Sequence, residues 1–423
     1  MLTGDGVASE SRGNLLVDQA LRIPAADNSN DHLLDAVRTA CPLAPLVAGN
    51  QLTILNDGPS TFEAFAETVG KAKHHVHLET FLFADDALGQ SFAALLVAKR
   101  QQGVEVRVLY DGIGSLAAAP EFFQSLRQAG VEVVSFRPAS GLSDAVTGQV
   151  NHRDHRKLLV VDGSVAFVGG INISGTYNQD SSSWSGQEAA LTGGWRDVQI
   201  RMEGPVVLQY QALFLSAWVR SGGAVDASST AYYPKLSIRG RSLVAALASE
   251  YGEQSEAAIH AAYLAAIHNA KQRVWITQAY FAPDKSLLGA LIAAARRGVD
   301  IRILLPGFSD SSTVLYASRS VYDRLLESGV KIFEFEAGFV HAKTVTVDGA
   351  LSFVGSANMD FRSLLHNNEI AAVIVDAVVA AQMEATYRSD LANSREIQLA
   401  EWRKRSLRQR AMERAATLMW FWI

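Results

Sequence analysis

The chain has 423 residues, room for two or three domains at roughly 150 residues each. Apolar residues make up 48% and charged ones 19%, a balance that excludes long disordered or highly charged tracts. With 38 basic and 43 acidic side chains the net charge is -5, which argues against a nucleic-acid coat over the whole surface, and a lone cysteine, Cys41, allows no intramolecular disulfide and no thiolate cluster for zinc, so a reducing compartment is expected.

From the N-terminus, Met1 to Glu10 carry neither a basic nor an apolar region, so no signal peptide is expected. Residues 1–49 read as an extension, polar with scattered prolines and one apolar-periodic piece around Leu33 to Val37. From residue 50 the chain repeats itself. Ala72-Lys73 leads through His77-Leu78-Glu79-Thr80 and the run Gly103 to Tyr110, then to Leu126 and the run Gly130 to Val134. Ala270-Lys271 leads through Ile276 to Ala279 and the run Gly298 to Leu305, then to Leu326 and the run Gly329 to Phe333. Gly103-Val104-Glu105 and Gly298-Val299-Asp300 each follow an alanine-rich amphipathic segment (Ser91 to Gln102; Leu287 to Arg297), which predicts a helix, a glycine C-cap and a buried strand. Strands alternating with such helices imply an α/β fold, a mainly parallel sheet with helices on both faces, once per repeat. The lobes are placed at 50–225 and 235–394, with Ser221 to Tyr233 of linker composition between them. The longest aliphatic stretch, Ile370 to Met383, is broken by Asp376 and falls short of the roughly 20 residues of a spanning helix, so no transmembrane helix is expected.

Each lobe carries one copy of the same polar pattern. The first runs from His155 and Lys157 through Asp162-Gly163 to Gly169-Gly170 and Asn172; the second runs from His341 and Lys343 through Asp348-Gly349 to Gly355-Ser356 and Asn358. His and Lys, two apart on a strand, project from one face, and the Asp-Gly turn returns a second strand to the site. A phosphodiester gains negative character on its equatorial oxygens as a fifth ligand arrives, so two lysines and two asparagines suit its stabilisation. One neutral imidazole can attack phosphorus while a second, protonated imidazole releases the alkoxide. That division requires one histidine from each lobe. Asp162 and Asp348 complete the catalytic motif set, although their place in a turn points mainly to a structural role.

This pattern resembles that of the phospholipase D superfamily, known for paired His-x-Lys motifs, over about residues 50 to 410. The resemblance implies two pseudo-twofold-related α/β/α sandwich lobes with mainly parallel, mixed sheets, both motifs meeting at the lobe interface, a covalent phosphohistidine and no metal or other cofactor. It also implies His155 as nucleophile and His341 as general acid and base, although the two copies are nearly equivalent. Each imidazole needs a carboxylate on its other nitrogen. The nearest strand openings offer Glu369 for His341 and Asp197 for His155, with Glu188 as an alternative to Asp197.

Trp195-Arg196-Asp197 with Glu203-Gly204-Pro205, Asp360 to Ser363 with Asn368-Glu369, His77 to Thr80 and Tyr280 to Asp284 resemble bacterial cardiolipin synthases. The implied activity is transfer of a phosphatidyl group from phosphatidylglycerol, or another phospholipid, to a phospholipid hydroxyl. Water as acceptor makes the same site a phospholipase. Nucleases use the same motif pair, but the acidic net charge and the flanking motifs count against a nucleic-acid partner. Many relatives begin with two transmembrane helices; this chain resembles a shorter branch, expected as a peripheral protein on the cytoplasmic face of the bacterial inner membrane.

The segment 395–423 holds seven basic residues (Arg395, Arg403, Lys404, Arg405, Arg408, Arg410, Arg414) against three acidic ones, a net +4, and ends with Trp420, Phe421 and Trp422. It is expected to contact an anionic membrane surface, with electrostatics contributing roughly 4 kcal/mol at about 1 kcal/mol per charge. The competing expectation is a helix packed on the second lobe with a solvated basic face. His74, His75 and His77 lack acidic or thiol partners at ligand spacing, and Asp111 to Gly114 lacks the Lys-Ser/Thr of a phosphate loop, so neither metal nor nucleotide is expected there.

Overall fold

A computed structural model of the chain describes residues 31–137, 152–178, 194–226, 229–253 and 257–418. The first half contributes β1 (Val47–Leu55), β2 (His75–Thr80), β3 (Glu105–Asp111), β4 (Glu132–Phe136), β5 (Lys157–Val161), β6 (Val165–Gly169) and β7 (Gln199–Glu203). The second contributes β8 (Ser242–Ser249), β9 (Arg273–Thr277), β10 (Phe281–Ala282), β11 (Asp300–Pro306), β12 (Lys331–Phe335), β13 (Thr344–Val347), β14 (Leu351–Gly355), β15 (Met359–Asp360), β16 (Glu369–Val375) and β17 (Ser394–Glu396).

Strand order is β1-β7-β6-β5-β2-β3-β4 in the first half and β8-β16-β14-β13-β9-β11-β12-β17 in the second, and antiparallel pairing of β1 with β8 joins them into one sheet. Strand for strand the two orders match until β17, so the sequence repeat is a structural repeat. The sheet is mixed. Parallel pairing is confined to β2-β3-β4 and β9-β11-β12, the part built by the helix-glycine-strand runs. Those helices span Ala87–Gln101 and Lys285–Arg296. They start earlier than the apolar periodicity suggests because Asp86 and Asp284 cap their first backbone N–H groups. Gly103 and Gly298 then leave the helices with φ of 87° and 91°, a conformation that glycine adopts without strain.

Both faces of the sheet are covered, so its central strands are apolar throughout rather than alternating. In β5, Leu159 and Val161 face the helices Gly58–Gly70, Ala87–Gln101 and Pro120–Gln128, while Leu158 and Val160 face the helix Val207–Arg220. The second half repeats this with the helices Ala258–Asn269 and Lys285–Arg296 on one face and Ala377–Leu391 on the other.

Both ends of the described chain depart from the expected boundaries. The helix Asp31–Ala40 packs Leu33, Val37 and Cys41 among Ile259, Ala262 and Tyr263 of the second half. It therefore belongs to that half's outer layer rather than to a separate extension. β17 pairs antiparallel with β12, and Ile397 and Trp402 are buried behind it. The helix Leu407–Thr417 lies on the helix Ser312–Ser320, with Ala416 against Ala317. Most of the expected basic face is engaged there: Arg395 pairs with Glu334 and Glu336, Arg403 with Glu327, Lys404 with Glu401, and Arg405 with Asp323 and Glu413. Trp420, Phe421 and Trp422 lie outside the described residues. No helix among the described residues is long and apolar enough to cross a membrane.

Candidate active site

Each motif histidine enters the site on a short segment docked against the other half of the chain. His155 N–H donates to the Asn368 carbonyl at 2.9 Å and Asn368 N–H to the Arg153 carbonyl at 2.8 Å. In the mirror arrangement His341 N–H donates to the Arg196 carbonyl at 2.7 Å and Arg196 N–H to the Phe339 carbonyl at 2.9 Å. These two bridges bring the carboxylates of one half to the imidazoles of the other. Glu369 accepts from His155 Nδ1 at 3.0 and 3.1 Å, and Asp197 accepts from His341 Nδ1 at 2.7 Å. The pairing is the reverse of the sequence expectation, which matched each histidine to the carboxylate nearest along the chain. Nδ1 being occupied in both rings, Nε2 is the nitrogen left for chemistry.

The lysines complete each half-site. Lys157 Nζ donates to the His155 carbonyl at 2.6 Å, Lys343 Nζ donates to the His341 carbonyl, and both side chains are buried. Burial is the main force on these ammonium groups: it pushes Lys157 down to about 7 and Lys343 to about 8 against the pull of Glu369 and Asp197. The field of Lys343 reaches His155 and that of Lys157 reaches His341, so the two half-sites form one site. Burial, reinforced by the lysines, holds both imidazoles below their ordinary value, while burial works against Glu369 and Asp197 and is outweighed by their partners, which keep both ionised. The site thus holds two neutral imidazoles, two carboxylates and two lysines whose positive charge burial weakens.

The symmetry is broken in detail. Glu369 accepts further bonds from the hydroxyls of Ser356 and Ser363, and Ser363 also accepts from Asn358 N–H at 2.9 Å. At the position equivalent to Ser356 stands Gly170, where a Cβ would come within 2.4 Å of the Asp197 carboxylate oxygens. Asn172 lies between Leu82 N–H, at 3.1 Å, and the Tyr177 hydroxyl, at 2.8 Å, and Tyr177 Oη approaches His341 Nδ1 to 3.3 Å. Around His341 stand the rings of Trp195, Tyr177, Phe339 and Tyr280; beside His155 stands Phe81.

Three comparisons bear on this geometry. A family model described as "Cardiolipin synthase, PLD-like domain" matches residues 65–190 and 263–391. Cardiolipin synthase of Geobacillus thermodenitrificans (strain NG80-2) is 35% identical over 375 residues, 89% of this chain and 73% of that protein. The chain belongs to the cardiolipin synthase family. Cardiolipin synthase 2 of Bacillus anthracis, another member, is 36% identical over 368 residues, 86% of this chain and 69% of that one. The crystal structure of a phosphatidylserine synthase from Haemophilus influenzae Rd KW20 superposes with a TM-score of 0.71 over 93% of this chain and all of that one, at 15% identity, so the likeness is one of fold.

In this cardiolipin synthase family member His155, Lys157, Asn172, Asp197, His341, Lys343, Asn358 and Glu369 lie around the crossing of the two halves. Asp162 and Asp348 do not join them. Each sits at φ 51° in its turn, at the far end of the strand from the motif lysine, and its carboxylate accepts three backbone N–H groups: Lys73, His74 and His75 for Asp162, and Lys271, Gln272 and Arg273 for Asp348. They hold the chain entering β2 and β9, which supports the structural reading over the catalytic one. Glu188 lies outside the described residues. Tyr177, Ser356 and Ser363 carried no signal as carboxylate or imidazole partners, because their roles depend on the crossing of the two halves.

Proposed function

We propose that this cardiolipin synthase-type phosphatidyltransferase works through a phosphatidyl group on His155. His155 Nε2 attacks the phosphorus of phosphatidylglycerol; a P–N bond forms as the P–O bond to glycerol breaks, and the departing oxygen takes a proton from Nε2 of protonated His341. A hydroxyl of a second phosphatidylglycerol then attacks phosphorus, its proton passes to His341, and the P–N bond breaks. Two phosphatidylglycerols thereby give cardiolipin and glycerol, and both histidines return to their starting state. The observation that carries this reading is the cross-paired geometry: two imidazoles from two halves, each with Nδ1 tied to a buried carboxylate, flanked by two buried ammonium groups. The negative phosphodiester raises the basicity of a nearby imidazole, so His341 takes up one proton from solvent as substrate binds and holds it for the leaving alkoxide. Lys157, Lys343, Asn172 and Asn358 are the groups that oppose the charge gained by the equatorial oxygens.

The lipid is reached from a membrane surface, to which the C-terminal segment contributes. Only Arg408 and Arg414 of its basic residues are exposed and make no ion pair among the described residues, so the electrostatic share falls to about 2 kcal/mol. Exposed Leu407, Met412 and Leu418 add apolar contact. The surface is assigned to the cytoplasmic face of the inner membrane. Phosphatidylglycerol vesicles with excess EDTA test the whole reading: cardiolipin and glycerol in equal amounts are expected, and phosphatidic acid as sole product overturns it in favour of a hydrolase.

A further inference from the structure

A site that binds a phosphodiester is expected to present cations and neutral donors, and Asp310 breaks that pattern. It lies exposed in the loop between β11 and the helix Ser312–Ser320, yet its negative field reaches Lys343 and Tyr177 within the site. Its hydrogen-bond partners are both neutral. Tyr280 Oη donates to its two carboxylate oxygens at 2.9 Å each, and Ser309 Oγ donates at 3.1 Å. No cation pairs with it among the described residues. Tyr280 stands edge-on to His341, ring centroids 6.2 Å apart, so the carboxylate it holds lies on the His341 side of the site. Burial, and then Asp310 itself, push the Tyr280 hydroxyl further toward its protonated form, which leaves it a donor to Asp310.

Two oxygens offer about four lone-pair sites, and these two hydroxyls leave part of that capacity open. A carboxylate in this place repels the substrate phosphate, so its presence is productive only if it bonds to something else on the substrate. On the His341 side that something is the alcohol that leaves in the first step and attacks in the second. In the reaction proposed above this alcohol is a glycerol headgroup, which carries hydroxyl donors beyond the reacting oxygen.

We propose that Asp310, held by Tyr280, accepts a hydrogen bond from a non-reacting hydroxyl of the glycerol headgroup and thereby selects a polyol as leaving and attacking alcohol. The inference rests on His341 serving the alcohol. It makes Asp310 a specificity residue for the transfer, outside the His, Lys and Asn set.

The test uses the p-nitrophenyl ester of phosphatidic acid, whose leaving group needs no proton, to load the enzyme, followed by equal concentrations of glycerol and propan-1-ol. The ratio of phosphatidylglycerol to phosphatidylpropanol is read from one pool of phosphoenzyme, so it does not depend on how fast that pool forms. Wild-type enzyme is expected to favour glycerol. Asp310→Ala is expected to lower the ratio about tenfold, the order of one charge-assisted hydrogen bond. Asp310→Asn, which keeps an acceptor oxygen, and Tyr280→Phe, which frees the carboxylate, are expected to lower it by less. A ratio within twofold of wild type in Asp310→Ala and Tyr280→Phe overturns the proposal. A loss confined to ethanolamine, offered in place of glycerol, overturns the polyol assignment in favour of an ammonium headgroup. Absence of a p-nitrophenol burst from wild-type enzyme overturns the covalent reading itself, and this proposal with it.

Discussion

Changing Glu369 to Gln is expected to impair the chemistry of His155, although the two lie in different halves. Glu369 is fully buried and holds His155 Nδ1 at 3.0 Å while accepting from Ser356 and Ser363. Exchanging a charge-assisted hydrogen bond, worth about 1.5 to 3 kcal/mol, for a neutral one, worth about 0.5 to 1.5, removes roughly 1 to 1.5 kcal/mol, which at 1.36 kcal/mol per decade is about 5- to 13-fold. A second effect adds to it. A glutamine amide can donate to Nδ1 and move the ring proton to Nε2, which removes the attacking lone pair; loss of the correct tautomer in comparable triads lowers turnover by about 10⁴. The formation rate of phosphoenzyme from the p-nitrophenyl donor is therefore expected to fall between about 10- and 10⁴-fold. Asp197→Asn, which disturbs His341, is expected to preserve the p-nitrophenol burst and to slow the transfer to the alcohol, the step that needs a base. A burst lost in Asp197→Asn and kept within threefold of wild type in Glu369→Gln would refute the cross-paired assignment and restore the pairing by chain proximity.

Other consequences are independent of that one. Because burial lowers Lys157 to about 7 and Lys343 to about 8, each loses its charge as pH rises through those values. KM for phosphatidylglycerol is expected to climb from about pH 7 and more steeply through pH 8, and a flat KM up to pH 10 contradicts the role of the lysines. Asp162→Ala removes the acceptor for three backbone N–H groups at 2.8 to 2.9 Å and is expected to cost about 2 to 4 kcal/mol in urea unfolding, with kcat/KM of the folded protein retained; a stable but inactive variant returns the residue to the catalytic set. His75, stacked on His77 and bonded to Gln211, is pushed down to about 3, first by burial and then by His77. The unfolded chain binds that proton near pH 6.5, so the contribution is intact above 6.5 and is lost by about 1.4 kcal/mol per unit as pH falls below it. His75→Gln is expected to flatten the fall of Tm between pH 6.5 and 4.5, and an unchanged slope contradicts the assignment. A chain ending at Thr417 is expected to sediment less with anionic vesicles; equal sedimentation removes the C-terminal contact.

The motif pair was legible because it is local: His, Lys, the Asp-Gly turn and Asn recur at one spacing, and β5-β6 and β13-β14 are hairpins that need no distant contact. The parallel strands were legible for the same reason, through the glycines that end the preceding helices. The contacts that cross between the halves were not. The carboxylates were matched by chain proximity, whereas the Arg153-Asn368 and Phe339-Arg196 bridges exchange them. The charge of the C-terminal segment is legible but its partners are not: a count of arginines does not reveal that Glu327, Glu334 and Asp323 pair with them on the second half. Leu33 and Val37 showed helical periodicity, but nothing in it named the helix Ala258–Asn269 as the surface they cover. Asp310 carries no signal in the sequence, because its meaning depends on Tyr280, 30 residues earlier, lying against His341.

The central claim is that two halves supply one covalent site, with His155 carrying the phosphatidyl group. It is tested most directly by quenching wild-type enzyme during turnover of labelled phosphatidylglycerol and mapping the label by mass spectrometry under conditions that preserve phosphohistidine. The account predicts the adduct on His155 and its absence in His155→Ala. An adduct on His341, or cardiolipin formed with neither histidine labelled, contradicts it.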